Sequence, residues 1–252
     1  MFFSPLEQFQ IIPIFQISSI SGFDFSITNV TIILTLGLGS SVLAMYSLMS
    51  DSGNFYVVPN RIQCIFEGIY DVIFNMINDN VGAPGKPFFP YIFTLFTFVL
   101  ISNIIGLVPY SFTVTSHLIV TFALALMTFI AINIICIREH GMNFFSLFLP
   151  PGSSFFLAIL LVPIELVSYI FRPISLSVRL FANMMAGHTL LKVIAGFAWS
   201  MMLAGGGLLI AHVIPLAILV LLMGLELGVA CIQAFVFTIL TCIYLNDAIN
   251  LH

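Results

Sequence analysis

One run decides the fold of this chain: Arg172-Pro-Ile-Ser-Leu-Ser-Val-Arg179-Leu-Phe-Ala-Asn-Met-Met-Ala-Gly-His188, which places charges inside an apolar stretch from about 153 to 199. Such a stretch is long enough to cross a hydrocarbon core about 30 Å thick. An arginine at that depth costs about 2.5–3.5 kcal/mol on insertion scales, and its guanidinium cannot lose its proton. Arg179 is therefore a candidate functional residue.

The composition is that of an integral membrane protein. Of the 252 residues, 61% are hydrophobic and 6% are charged, whereas soluble domains carry about 25% charged residues. The apolar runs are long and lack a period of two, which favours helices over a β-barrel. The few Lys and Arg residues form no basic stripe, which argues against nucleic-acid binding. We expect an all-α integral membrane protein.

The sequence carries no motif for nucleotide, metal or covalent chemistry. Its four cysteines are isolated, with no CxxC, so neither a disulfide framework nor a zinc site is expected. The patterns GxxxxGK[ST], HExxH and GxSxG are missing. We therefore expect no cofactor, no metal and no bound nucleotide. The first sixty residues hold no Lys or Arg, which is typical neither of a secretory signal nor of a transit peptide.

The hydropathy pattern predicts one membrane domain over residues 1–252, with five membrane-inserted helices and one amphipathic surface helix. The last two segments are too long for simple crossings. Each is either broken into two crossings or tilted, and we favour two long tilted helices packed as a hairpin. The predicted ranges are 27–49 for the first span, 61–79 for the surface helix, 88–108 and 118–137 for a hairpin, and 153–199 and 207–246 for the long helices.

The basic residues of the loops predict the orientation. Arg61 and Lys86 flank the surface helix, and Arg138 closes the span that follows the hairpin loop. All three fall on one side of the membrane if five helices cross it. The positive-inside rule then puts the C-terminus, 246–252, on that same face.

A polar stripe runs along the penultimate helix. Glu165, Arg172 and Arg179 are seven residues apart, so each step turns by only about 20° and the three share one face. Asn183 follows Arg179 by one helical turn on the same face. His188 is nine residues past Arg179 and points away from the stripe, which predicts a partner on a neighbouring helix.

A second polar stripe, on the last helix, faces the first. The residues of the two stripes differ in whether they can gain or lose a proton. On the last helix Glu226, Gln233 and Asp247 recur at multiples of seven. Arg179 cannot carry a proton, but a fixed cation favours an ionised carboxylate nearby and repels other positive charge. That is what a gate between two chains of titratable groups requires. Those groups are Glu165, His188, Glu226 and Asp247, whereas Gln233 and Asn183 can only orient water or accept and donate hydrogen bonds.

Structural alternatives stay open for the same residues. Arg179 and Glu226 could form a salt bridge that only holds two helices together. Acids near helix ends could reach the interface by snorkelling, and polar groups could hydrogen-bond between helices. Snorkelling is the alternative for Glu165 and Asp247, and interhelical hydrogen bonding is the alternative for His188 and Gln233. Arg172 and Lys192 could be structural or snorkelling cations.

The run from Ser175 to His188 resembles the signature of subunit a of F-type ATP synthases. The resemblance covers nearly the whole chain, and the run Ser4-Pro-Leu-Glu-Gln-Phe9 and the end from Tyr244 to His252 resemble the mitochondrial branch. His188 and Glu226 are the residue types usual in mitochondrial members. Together with the missing transit peptide, the resemblance implies a multi-pass protein of the mitochondrial inner membrane.

The resemblance also implies a role. Such a subunit is a non-catalytic, proton-translocating stator component with two proton half-channels beside a rotating ring of c subunits. Arg179 would be the essential arginine that faces the ring and separates the half-channels. The lipid bilayer and the other membrane and peripheral-stalk subunits of ATP synthase would be further partners. By the match of motifs, Glu226, His188, Asn183 and Gln233 would lie on the proton-uptake side, and Glu165 with Asp247 on the release side.

A self-contained proton or ion channel, or a secondary transporter, is the alternative function. Secondary transporters are often built from repeated halves, and this sequence shows no internal repeat. A third interpretation is a purely structural membrane subunit. It predicts that neutralising Arg179 changes assembly and leaves proton flux unchanged.

Overall fold

The computed structural model describes residues 7–16, 26–50, 61–108, 111–141, 155–205 and 211–250, and gives the side-chain surroundings of all of them except 44–50, 61–63 and 155–159. Helix dominates these ranges, which confirms the predicted all-α membrane class. The α-helices that they contain are α1 (Asn29–Ser50), α2 (Arg61–Asn80), α3 (Phe89–Leu107), α4 (Leu118–His140), α5 (Phe155–Ala204) and α6 (Val213–Ile249).

The two long apolar segments each form a single helix. α5 has 50 residues and continues through Pro163 and Pro173, and α6 has 37 residues. A proline removes one backbone hydrogen bond and can kink a helix without ending it. The alternative of two crossings within each segment is therefore wrong. α6 begins at Val213 instead of the predicted 207, and 206–210 lie outside the described residues.

Among the described residues, four helices are long and apolar enough to cross a membrane: Ala83–Leu107, Leu118–His140, Leu160–Ala204 and Val213–Ile249. The first predicted span corresponds to α1, whose apolar part with described side chains is the shorter Asn29–Leu43. A crossing needs about 20 residues, so a crossing by α1 stays a prediction from the sequence of 27–49.

The helix α2 has the predicted amphipathic character. Glu67 and Asp71 are exposed, whereas Ile73 and Ile77 are buried. At Gly82 the chain turns with φ at 76°, a conformation that glycine adopts without steric cost. A short 3₁₀ helix, Ala83–Phe88, then leads directly into α3.

A short antiparallel ribbon before α1 was not predicted. Its strands are β1 (Pro13–Phe15) and β2 (Ile27–Thr28). The side chain of Asn29 fastens the ribbon, because its Nδ2 donates to the carbonyl of Gln10 at 3.1 Å while its Oδ1 accepts from the amide of Ile12 at 3.3 Å. The ribbon is therefore joined to the start of α1 by side-chain hydrogen bonds. Its sequence lacks the alternating apolar pattern that would predict a strand.

Contacts divide the chain into two compact units, and each is described by itself. In the first unit, Asn103 of α3 donates from Nδ2 to the carbonyl of Ala230 in α6 at 3.3 Å, and both residues are fully buried. The first unit comprises Met1–Ser41, Phe98–Leu118 and Leu180–Ala234, and the second comprises Val42–Thr97, Ile119–Arg179 and Phe235–His252.

In the second unit, the last turn of α4 lies on the last turn of α6. His140 Nε2 is 2.9 Å from the carbonyl of Ile249, and Ile132, Cys136 and Ala248 form a small buried cluster there. Basic residues are unevenly shared between the units. The second unit contains five of the six Lys and Arg residues, and Lys192 is the only one in the first.

Candidate functional site

Within the first unit, α5 and α6 bring His188 and Glu226 together. The His188 Nδ1 lies 3.3 Å from the Glu226 Oε1. Only 12% of the histidine side chain and 5% of the glutamate side chain are exposed. The predicted partner of His188 on a neighbouring helix is thereby confirmed. An isolated charge is costly at such burial, so the two groups are expected to share their proton as a unit, either both neutral or both charged.

A glycine on α5 makes room for this carboxyl group. A Cβ atom on Gly187 would lie 2.7 Å from Glu226 Oε1 and 3.1 Å from its Cδ. Both distances are shorter than van der Waals contact, so Glu226 would have to shift. Glycine in a membrane helix most often marks close helix packing. Gly187 has a more specific task, because the carboxyl group itself occupies the space that a side chain would fill.

A cavity of about 280 Å³ adjoins the pair in the same unit. Its polar lining comes from Asn183 and Glu226, and leucines supply most of the rest. A water molecule takes about 30 Å³ in the liquid, so the cavity has room for several. His188 Nε2 and both carboxyl oxygens of Glu226 make no hydrogen bond to other described residues. These buried polar atoms therefore lack a further hydrogen-bond partner within the described residues.

Gln233 lies two turns beyond Glu226 on α6 and is buried. Within the described part of the chain, no hydrogen bond joins its amide to His188 or Glu226. Of the candidate residues on the first unit, His188 and Glu226 meet directly, and Asn183 joins Glu226 only in lining the cavity.

A second pair joins α5 to α6 within the second unit. Arg172 Nη1 donates to Asp247 Oδ2 at 3.1 Å. The guanidinium carbon also lies 5.3 Å from the ring centroid of Tyr169 and 5.0 Å from that of Tyr244. The Tyr169 hydroxyl in turn donates to Oδ1 of Asn133 on α4. Arg172 is therefore held by one carboxylate and two aromatic faces.

Arg179 and Glu165 stand apart from these pairs. Arg179 is exposed, and Glu165 is partly buried. Neither belongs to an ion pair among the residues that the structure describes. Glu226 is paired with His188, and Arg179 belongs to the other unit, so the alternative of a Glu226–Arg179 salt bridge stays a prediction from the sequence. The two acids predicted for one side, Glu165 and Asp247, are not joined by a described contact, because Asp247 is paired with Arg172.

From the sequence we predict only a snorkelling or structural role for Arg172, with no aromatic partner on α5 or α6. A usable signal exists, since Tyr169 precedes Arg172 by three residues and Tyr244 precedes Asp247 by three. Side chains at that spacing are neighbours on a helix surface. Two aromatic–charge pairs on facing helices therefore indicated an interhelical cluster.

Outside the spanning helices, His117 lies in the loop before α4. Its ring stacks on Phe112 with the centroids 5.0 Å apart. Burial lowers the pKa of His117 below its usual value. No group of three or more His, Cys, Asp or Glu side chains that could hold a metal ion occurs among the described residues.

Comparison with known proteins gives concordant matches over the whole chain. The family model described as ATP synthase A chain matches residues 27–246. ATP synthase subunit a of Pylaiella littoralis is 56% identical over 252 residues, which is all of both chains. The subunit a of Chondrus crispus is 52% identical over 99% of this chain and 97% of its own, and that of Rhodospirillum rubrum is 48% identical over 99% of each.

Proposed function

This chain belongs to the ATP synthase subunit a family, the proton-translocating component of the membrane sector, and we propose that it moves protons along two separate paths divided by Arg179. The chain is a multi-pass membrane protein. The alternative of a self-contained channel or transporter is not favoured by these matches. The His188–Glu226 pair beside its cavity is the observation that carries the proposal.

The uptake path begins with that pair. We propose that water enters the cavity lined by Asn183 and Glu226, and that His188, 3.3 Å from the Glu226 carboxyl group, passes or receives the proton. Imidazole and carboxyl are both able to exchange protons near neutral pH when their surroundings adjust them. We propose that Gln233, buried two turns further along α6, orients water on this path, since its amide does not titrate.

Arg179 acts as the separator. It is exposed on α5 and has no ion pair in the described part of the chain, which leaves its charge available to a partner. Its guanidinium cannot be deprotonated, so it cannot relay a proton between the two paths. The partner that we propose is a ring of c subunits, each presenting a carboxylate that Arg179 holds in its ionised form.

The release path runs past Glu165 and Asp247. Both are acids on the second unit, which also holds five of the six basic residues. We propose that this unit faces the positive-inside compartment, in accord with the loop bases. Protons leaving a ring carboxyl group then reach acidic and hydrated surroundings on this side.

The proposal extends to the wider setting of the chain. We propose that the chain is non-catalytic and binds no nucleotide. It works with the other membrane and peripheral-stalk subunits, and it lies in the mitochondrial inner membrane. The energy that it handles is about 2.3 kcal/mol per charge per 100 mV, so a proton that leaks past Arg179 wastes work that rotation would otherwise capture.

The test is Arg179→Ala in the assembled complex, with Lys192→Ala as the matched loss of a cation on the same helix. We expect Arg179→Ala to abolish proton-coupled ATP synthesis while the complex still assembles, and Lys192→Ala to retain it. The measurement is ATP synthesis driven by an imposed proton gradient in membrane vesicles, normalised to the amount of assembled complex. Coupled synthesis at the normal rate in Arg179→Ala would refute the separator role.

A further inference from the structure

We propose that Arg172 is a positioning residue for Arg179, because its contacts fix the rotation of α5 about its own axis. These contacts form what we call the Arg172 clamp, which consists of Arg172, Asp247, Tyr169 and Tyr244. The inference rests on the proposed function, since the direction of Arg179 matters only if that residue separates the two paths.

The clamp holds one guanidinium from three directions. Asp247 of α6 accepts its hydrogen bond at 3.1 Å, and the rings of Tyr169 and Tyr244 lie about 5 Å from its central carbon. A planar guanidinium can stack on aromatic faces and donate in its own plane at the same time. Because Tyr169 also donates to Asn133 of α4, the clamp ties α5 to two other helices of the second unit.

The helical repeat carries this restraint to Arg179. The two arginines are seven residues apart, so their side chains leave α5 in directions that differ by only about 20°. Arg172 is partly buried, with 26% of its side chain exposed, whereas Arg179 is exposed and has no ion pair within the described residues. Arg179 therefore has no contact of this kind to set its own direction, and the clamp two turns away supplies it.

A contact on the opposite side of α5 reports on the same rotation. Ser177 is two residues from Arg179, so it points about 200° away from it. Its hydroxyl oxygen lies 3.3 Å from that of Thr121 on α4, and both side chains are buried. A turn of α5 that moves Arg179 must also separate Ser177 from Thr121. The distance between the Ser177 and Thr121 side chains therefore reports on the rotation of α5 in the second unit.

The first arm of the test measures coupling. Arg172→Gln removes the charge and the planar fork, and Lys192→Gln is the matched control on the same helix. In vesicles with the assembled complex, we expect Arg172→Gln to lower ATP-driven proton pumping about tenfold per complex and to raise passive proton leak, since a displacement near 1 Å can cost up to 10²-fold. Arg172→Lys keeps a charge without a plane and should fall between the two. Lys192→Gln should pump normally.

The second arm measures rotation directly. Thr121→Cys with Ser177→Cys should form a disulfide on mild oxidation when Arg172 is present, because the side chains already meet. The same pair should cross-link several times less when combined with Arg172→Gln. Normal cross-linking and normal coupling per assembled complex would overturn the proposal. It would also be overturned if neither Arg172→Gln nor Arg172→Lys assembles, since Arg172 would then be needed for folding alone.

The two proposals fail in different ways. If Arg179→Ala keeps its coupling, the separator role is lost, but the cross-linking arm still decides whether Arg172 sets the rotation of α5. If Arg179→Ala is uncoupled while the cross-link is unaffected by Arg172→Gln, the separator stands and the positioning role is refuted.

Discussion

The two acid pairs between α5 and α6 are built from opposite kinds of partner. Glu226 meets His188 with only 5% and 12% of their side chains exposed, whereas Asp247 meets Arg172 with 37% and 26% exposed. In the first pair both groups can gain or lose a proton. In the second pair one partner is a permanent cation that is also held between two aromatic rings.

This difference teaches which polar contacts in a membrane helix can exchange protons. A histidine–carboxyl pair can pass between a neutral and an ionic form without leaving an isolated charge, and a cavity that adjoins it can supply water. An arginine–carboxylate pair has no neutral form of this kind, so its value lies in geometry. The first pair fits transfer, whereas Arg172 in the second pair fits positioning while its partner Asp247 lines the proposed release path.

The largest effect that separates the two pairs should come from neutralising each acid. Glu226→Gln keeps the shape of the side chain and removes its exchangeable proton. We expect proton flow through the membrane sector to fall by on the order of 10²-fold, as for loss of a positioned acid–base group, with no rise in leak. Asp247→Asn should lower coupling less and should raise passive leak, because it loosens the Arg172 clamp.

The measurement is proton flux in both directions through vesicles that contain the assembled complex. The change in passive leak is the informative quantity. A blocked path leaves the leak unchanged and a displaced separator raises it, even when ATP synthesis falls in both variants. Equal fluxes and equal leaks for the two variants would mean that the pairs do not differ in kind.

An intermediate effect should follow from adding one methyl group beside Glu226. A Cβ on Gly187 would lie 2.7 Å from its Oε1, so Gly187→Ala should push the carboxyl group away from His188. The carboxyl is the end of a flexible side chain, and the complex should therefore assemble while proton flux falls by roughly tenfold, in line with the cost of misplacing a reacting group. Gly196→Ala on the same helix, with no atom within 4 Å of the added Cβ, is the matched control.

The expected pattern is a loss of proton-driven ATP synthesis in Gly187→Ala alone, at unchanged amounts of assembled complex. If both alanine variants behave alike, the close approach of Gly187 to Glu226 has no part in transfer.

The helices could be predicted from the sequence because lipid leaves the backbone few choices. An apolar segment in hydrocarbon must satisfy its own amides and carbonyls, so a long apolar run becomes a helix. The ribbon at Pro13–Phe15 escaped prediction because it depends on Asn29, whose side chain bonds backbone groups 17 and 19 residues away. Contacts between distant residues of this kind leave no local period.

Which candidate residues share a helix face could likewise be predicted, but which of them meet between helices could not. The spacing of residues along one helix fixes which of them share a face. It does not fix how far one helix is shifted along another, and this offset decides which residues meet. The sequence therefore left Glu226 with Arg179 as an open structural pair, whereas the structure gives Glu226 to His188 and Asp247 to Arg172.

A smaller effect should distinguish the aromatic part of the second pair from its charge. Tyr244→Phe keeps the ring that faces Arg172, and Tyr244→Leu removes it. A cation–π contact is worth about 0.5–1 kcal/mol at an exposed site, so the leucine variant should unfold at a slightly lower temperature than the phenylalanine variant. Thermal unfolding of the purified complex measures the difference. A leucine variant as stable as the phenylalanine one would mean that the Tyr244 ring adds no stability beyond the contacts of Asp247 and Tyr169 with Arg172.

The smallest effect concerns a histidine outside both pairs. Burial lowers the pKa of His117, so the unfolded loop binds a proton more readily than the folded loop does. Its contribution to stability is then present above the usual value of about 6.5 and is lost as the pH falls below it. His117→Phe keeps an aromatic ring against Phe112 and removes the titration. Between pH 7.5 and pH 5.5 the variant should therefore lose less thermal stability than the unmodified complex, while its proton flux stays normal. A variant that loses proton flux would instead put His117 on the uptake path. Proton transfer in the first unit would then involve His117 as well as the His188–Glu226 pair.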